Sequence, residues 1–245
     1  MISSRIKFFF GHLTSSILIA LFVISMVFLV WYPLPLAKAV GVTHIFLMLL
    51  VIDVILGPLL GLLVYKEGKK TLKFDLIVII IIQIAALCYG VYSIEQGRPA
   101  WLVYNVDRFD LVRKNDIILE NIDQAQPQFQ HVSWASPQFA AVKLAASAQQ
   151  RQDDMFTEAL EGISIAQKPE RYVDFAQAKT QIQSRAQNLE DLKKYNDQKQ
   201  VEHTLAKYPE ANAFVPLKAT VLDMTVLINK EKGEVVKIVD LRPWH

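Results

Sequence analysis

Three runs of this chain are too long and too apolar to sit in water. Between positions 13 and 65 the charged residues are Lys38 and Asp53 alone, and between 76 and 94 there are none. A bilayer core of about 30 Å takes roughly 20 apolar residues to cross as a helix. The sequence predicts span one at 13–32, span two at about 42–65 and span three at about 74–94. Backbone polar groups in lipid must bond within their own segment, so isolated spans are helices. That overrides the strand preference of the β-branched run at 77–84. Trp31 and Tyr32 suit a headgroup interface, and Pro33 and Pro35 stop the first helix.

Lysine and arginine in the short flanks set the orientation. Arg5 and Lys7 precede span one, only Lys38 lies between spans one and two, and Lys66, Lys69, Lys70 and Lys73 lie between spans two and three. The N-terminus and this four-lysine anchor are therefore expected in the cytoplasm. Residues 1–95 form a membrane domain, and 96–245 form a domain beyond the outer face. A cleaved signal peptide is the competing reading, because Ala37-Lys38-Ala39 fits the small-x-small pattern. The apolar run is about twice a typical signal core and carries its own aromatic anchor, which favours a retained span. Either way the C-terminal domain stays outside.

Asp53 falls near the centre of span two, where a carboxylate costs about 2.5–3.5 kcal/mol on insertion scales. Gln83 in span three and Ser25 in span one are expected at the same depth, with Gln83 donating to Asp53 and Ser25 joining them. Gly57 and Gly61 form a GxxxG that permits close helix approach, and Pro58 is expected to kink span two beside the acid. Three roles fit this cluster: a latch holding the bundle, a docking face for another transmembrane helix, and a proton relay. The relay is the weakest, since one carboxylate conducts nothing. Asp53, Gly57, Pro58, Gly61, Gln83 and Ser25 are the candidate partner-binding residues.

Other chemistries find no footing. Gly68-Lys69-Lys70-Thr71 lacks the earlier glycine of a phosphate loop, that position being Leu63. His12, His44, His131, His203 and His245 have no metal-ligand spacing, and Cys88 is the single cysteine. Asp153-Asp154 reads as the solvated start of a helix. The chain carries a net charge of +2, and residues 96–245 hold 19 basic against 20 acidic side chains, so nothing steers a nucleic acid. No metal, cofactor or small-molecule substrate is expected; the C-terminal domain reads as a binding or scaffolding module.

That domain begins with a strand over 101–107, with 108–116 continuing it or pairing with it. Residues 117–150 read as loop with a short alanine-rich helix near 139–148. A helix capped at Asp153 or Asp154 runs to about Gln167. A longer helical stretch follows through Val173, Ile182, Leu189 and Leu192, and another turn or two covers 201–207. Residues 214–218 are extended. The strongest local signal is a β-hairpin, 223–229 and 234–240, with Gly233 in its turn. Strand, helices, strands suggests an α+β fold with a small antiparallel sheet.

Asp53-Val54-Ile55-Leu56-Gly57-Pro58-Leu59-Leu60, the Gly68-Lys69-Lys70 loop, Gln83 with Tyr89-Gly90, Arg98-Pro99 and Asp107-Arg108-Phe109 together resemble type IV pilin accessory proteins of the TfpX/TfpZ type. The closing Gly233-Glu234-Val235 and Pro243-Trp244 are similar too, and only 117–210 matches in character alone. The resemblance implies a multi-pass protein of a Gram-negative inner membrane, with its C-terminal domain in the periplasm, that promotes stability or assembly of the major type IV pilin. It brings no catalytic residues. The partners it implies are the pilin and the lipid bilayer. Pilins of this kind carry an apolar N-terminal helix and a soluble periplasmic head. Span two between Asp53 and Gly61 would meet the helix, and the edge of the C-terminal hairpin would meet the head by strand addition. A pilin-modifying membrane enzyme is the first rival, though such enzymes use more spans. A periplasmic ligand sensor is the second, though the cytoplasmic portions leave no output domain.

Overall fold

The computed structural model describes residues 3–244. The chain divides into two compact units, one formed by 1–31 and 42–97 and the other by 32–41 and 98–245.

The first unit is a three-helix bundle. Helix α1 covers Ser4–Met26 and continues through a π-helical turn, Val27–Trp31. After a short α2, Leu36–Ala39, which belongs to the other unit, α3 covers Val42–Val64 and α4 covers Leu72–Gln96. All three long helices are long and apolar enough to cross a membrane. Their outward side chains, among them Phe22, Leu29 and Ile82, are apolar, which is what a surface in hydrocarbon requires. Helix α1 starts nine residues before the expected span. Arg5 is accommodated there because its Nε donates to the Leu62 carbonyl at 2.7 Å, one of the carbonyls left open at the end of α3. Both α1 and α4 pack along α3 and diverge from each other.

The second unit is built on one seven-stranded mixed sheet. Its strands are β1 Pro99–Asn105, β2 Arg108–Arg113, β3 Gln138–Val142, β4 Tyr172–Val173, β5 Ala213–Lys218, β6 Met224–Asn229 and β7 Glu234–Val239. They lie in the order β4-β3-β1-β2-β5-β6-β7. This corrects the small antiparallel sheet expected from the sequence. The pairs β1–β3 and β2–β5 are parallel, and their partners are far apart in the chain. The C-terminal hairpin is as expected, with Gly233 at φ 65° in its turn.

Every residue of β1 is buried. Trp101 and Val103 enter one core with Phe129, Ala140 and Tyr172, while Leu102 and Tyr104 enter another with Phe109, Ile182, Leu217 and Val226. Covering on both faces explains why Trp-Leu-Val-Tyr shows no alternation of apolar and polar residues. It also explains β3, where the sequence suggested a short helix. Ala140 and Ala141 are enclosed between β1 and β4, and that burial outweighs alanine's helix preference.

Three helical expectations need correction. Helix α5 covers Ala148–Glu161, capped by Ser147, whose Oγ accepts from the Gln150 amide, and it ends at Gly162 with φ 70°. The long stretch through Val173 and Leu192 breaks into β4, a 3-10 turn, α6 at Lys179–Arg185, and a further 3-10 segment at Leu189–Lys194. Its apolar residues point into two different cores, which one straight helix cannot do. Helix α7 covers Gln198–Leu205.

The link between spans one and two is folded into this second unit. Leu36 and Ala39 join the core of Leu102 and Tyr104, and Ala37 is fully buried. The Ala39 carbonyl accepts from the amides of Val221 and Leu222 at 3.0 and 3.1 Å, and Lys38 pairs with Asp240 at 2.6 Å.

The first two strands are joined by an unusual turn. Val106 has φ 60°, and the Asp107 amide donates to the Asn105 carbonyl at 2.7 Å. This is a γ-turn of the rare, strained hand, with a β-branched residue at its centre.

Candidate functional site

Gln83 is the hub of the helical unit. Its Nε2 donates to the Asp53 main-chain carbonyl at 2.9 Å and to Ser16 Oγ at 3.2 Å. Its Oε1 lies 2.9 Å from His12 Nε2. One carboxamide thus ties α4 to both α3 and α1. Interhelical bonds of this kind are worth about 0.6 to 2 kcal/mol each in membranes.

The structure brings Gln83 and Asp53 together, as the sequence suggested, but the bond goes to the main chain of Asp53. Ser25 is elsewhere. Its hydroxyl is exposed and donates to the Leu21 carbonyl of its own helix. Ser16 takes the place expected of Ser25, because α1 starts at Ser4 and its centre lies nearer the N-terminus. His12 and Ser16 are the residues that sequence reasoning missed. The signal was available: His12 and Ser16 are four apart, on one face of a helix whose start Arg5 and Lys7 conceal.

The glycines do permit close approach, and it occurs inside the chain. A Cβ on Gly57 would collide with the Gln83 carboxamide. One on Gly61 would come within 2.9 Å of the Phe8 ring, and one on Gly90 within 2.7 Å of the Leu49 side chain. Pro58 is buried within an unbroken α3, where it removes the donor that the Val54 carbonyl would otherwise receive. Lys69 pairs with Asp75 at 2.6 Å, with Thr71 also bonded to Asp75, so this part of the lysine cluster is tied to the first turn of α4. Lys66, Lys70 and Lys73 lie in or beside the same connection.

Where α1 and α4 diverge, a cleft of about 470 Å³ opens. Phe8, Ile19, Ile80 and Leu87 supply apolar walls, and Asp53, His12, Ser16 and Gln83 supply a polar patch within it. Gly11 and Ser15 keep one wall low, and a Cβ on Gly11 would meet nothing within 4 Å. Chemically, the cleft offers carboxylate, imidazole, hydroxyl and amide groups in an otherwise apolar setting.

A family model described as fimbrial assembly protein FimB matches residues 1–41. The fimbrial assembly protein of serogroup I from Dichelobacter nodosus is 32% identical over 180 residues, covering 73% of this chain and 70% of its own. The serogroup E1 protein of the same organism matches to the same extent. That of serogroups C1 and C2 is 34% identical over 116 residues, covering 46% of this chain and 88% of its own. No solved structure matches the chain. With relatives this similar over most of their length, the chain belongs to the fimbrial assembly protein family.

Proposed function

We propose that this protein is a non-enzymatic pilin accessory protein of the TfpX/TfpZ type, resident in the inner membrane, which binds the major type IV pilin and promotes its stability or assembly. Its relatives are named for fimbrial assembly. The observation that carries the reading is the α1–α4 cleft, with apolar walls and Asp53, His12, Ser16 and Gln83 grouped along it. A polar patch in such a wall suits an apolar helix that brings a hydrogen-bonding group to the same depth.

In this reading the helix of the pilin lies along the cleft and Asp53 meets its polar group. Gly57, Pro58 and Gly61 act indirectly, by fixing how α3 carries Asp53. Lys66, Lys69, Lys70 and Lys73 hold their loop in the cytoplasm, which puts residues 98–245 in the periplasm. There the outer edge of β7 is positioned to take a strand from the pilin head.

Photocrosslinking in native membranes tests this. A photoreactive residue at Ile80 or Ile19 is expected to capture pilin, and one at Leu29, outside the cleft, is not. Equal capture from all three positions overturns the cleft as the docking site. Loss of this protein with no change in pilin level or surface fibres overturns the function.

A further inference from the structure

A second recess, of about 540 Å³, lies at the end of the β1–β2 hairpin in the unit of 32–41 and 98–245. The strained turn at Val106 forms part of it. Helix α5 contributes Arg151, Met155 and Glu158, and the end of α6 contributes Arg185.

Two features mark it as a built site. The first is Asn105, which is 5% exposed. Its Nδ2 donates to Asp110 Oδ2 at 2.8 Å, which fixes the orientation of the carboxamide. Its Oδ1 is left buried and without a donor among the described residues. A buried acceptor in that state calls for a hydrogen-bond donor, which the main-chain N–H of a peptide supplies.

The second feature is charge. Arg108 is held by Asp110 at 3.0 Å and by Glu158 at 3.7 Å. Asp154 is engaged by both terminal nitrogens of Arg171, at 2.9 and 3.0 Å. Arg151 and Arg185 have no ion-pair partner among the described residues, and the acid on the rim outside these pairs is Asp107. Two guanidinium groups thus stand against one carboxylate. Leu144 and Met155 add apolar surface.

We infer that this recess binds an extended peptide segment, with a main-chain amide of the peptide donating to Asn105 Oδ1 and a carboxylate of the peptide engaging Arg151 and Arg185. A guanidinium presents two parallel N–H groups to a carboxylate, which gives direction as well as charge. The carboxylate is either a chain terminus or an aspartate or glutamate side chain, the chemistry being the same. The inference goes beyond the assembly reading, because it concerns a different unit and a peptide defined by its groups.

The test uses the full chain in detergent micelles, with the backbone amide resonances of Val106 and Asp107 as the readout. Three probes are titrated: acetyl-Ala-Val-Ala-Val with a free C-terminus, acetyl-Ala-Val-Glu-Ala-Val-amide, and acetyl-Ala-Val-Gln-Ala-Val-amide. At least one acidic peptide is expected to give saturable shifts, with the neutral peptide about tenfold weaker or worse. The Arg151→Gln, Arg185→Gln double variant, whose changes are on exposed side chains, is expected to lose the same factor with an otherwise unchanged spectrum. Whichever acidic peptide binds tells terminus from side chain. The inference fails if neither acidic peptide saturates, if the neutral one binds as well, if the double variant binds as well, or if inorganic phosphate produces the same shifts.

Discussion

Gly57 and Gln83 meet across the α3–α4 contact so closely that a single methyl group on the glycine would overlap the carboxamide. The glycine is what lets Gln83 reach past α3 toward Ser16 and His12 on α1. Gly57→Leu is expected to destabilise the helical unit by about 1–3 kcal/mol, as overpacking does. A lowered thermal midpoint in detergent and a lower level in membranes are the measurements.

Gln83→Leu removes the bonds to Asp53, Ser16 and His12 at nearly constant volume. The expected loss is about 1–2 kcal/mol. Ser25→Ala is the contrast, since Ser25 bonds only within its own helix. It is expected to change stability by less than about 0.5 kcal/mol. Equal losses from the two changes would contradict the hub.

Val106→Gly should stabilise the second unit. The positive φ costs a β-branched residue of order 1–3 kcal/mol, and glycine adopts it freely. Glycine also gives back some of that through its unfolded-state entropy, so a net gain of about 1 kcal/mol is expected. Chemical denaturation of the full chain in detergent, followed by a probe in residues 98–245, would record it.

Two tyrosines set an alkaline limit. Burial, reinforced by the Asp107 charge and opposed by Arg185, pushes the Tyr104 hydroxyl from 10.0 up to about 12. Burial also raises Tyr172, whose hydroxyl donates to the Ala166 carbonyl. A raised value means the folded state keeps a proton that the unfolded state releases. The stabilisation is therefore complete below about pH 10 and lost as pH climbs from there toward 12. Tyr104→Phe is expected to flatten the first part of that decline, and stability measured between pH 9 and 12 will show whether it does.

Leu36→Ala is expected to cost about 2–5 kcal/mol, the usual range for emptying a buried leucine site. Leu36 is 3% exposed, in a core that, apart from Ala39 and Val40 of the same link, is formed from residues beyond 98. The loss should appear in the unfolding of the sheet and not in that of the bundle.

The spans were legible because lipid imposes one requirement on every residue of a helix. Hydropathy alone therefore places α3 and α4 to within two residues. The β6–β7 hairpin was legible for a similar reason, since its turn and both strands are local. The β1–β2 turn was not, because its positive φ falls on Val106, a β-branched residue, where a glycine or asparagine would announce it. Strand β3 was hidden by its alanines, and the parallel pairings by the distance between their partners. In the candidate site, Asp53, Gln83 and Gly57 stood out as polar groups or small residues in apolar runs. His12 and Ser16 did not, because the apolar run starts nine residues into the helix and so shifts its expected centre from Ser16 towards Ser25.

The burial of Leu36, Ala37 and Ala39 bears on how the polypeptide is made. The ten-residue link is synthesised long before the sheet that receives it, and it leaves the ribosome ahead of two further hydrophobic crossings. A chain threaded through the bilayer with its first segment reversed would strand this link on the far side, and the sheet would be missing part of its centre. Burial of this link in the later core therefore requires residues 32–41 and 98–245 to end on the same side of any bilayer that the helices cross.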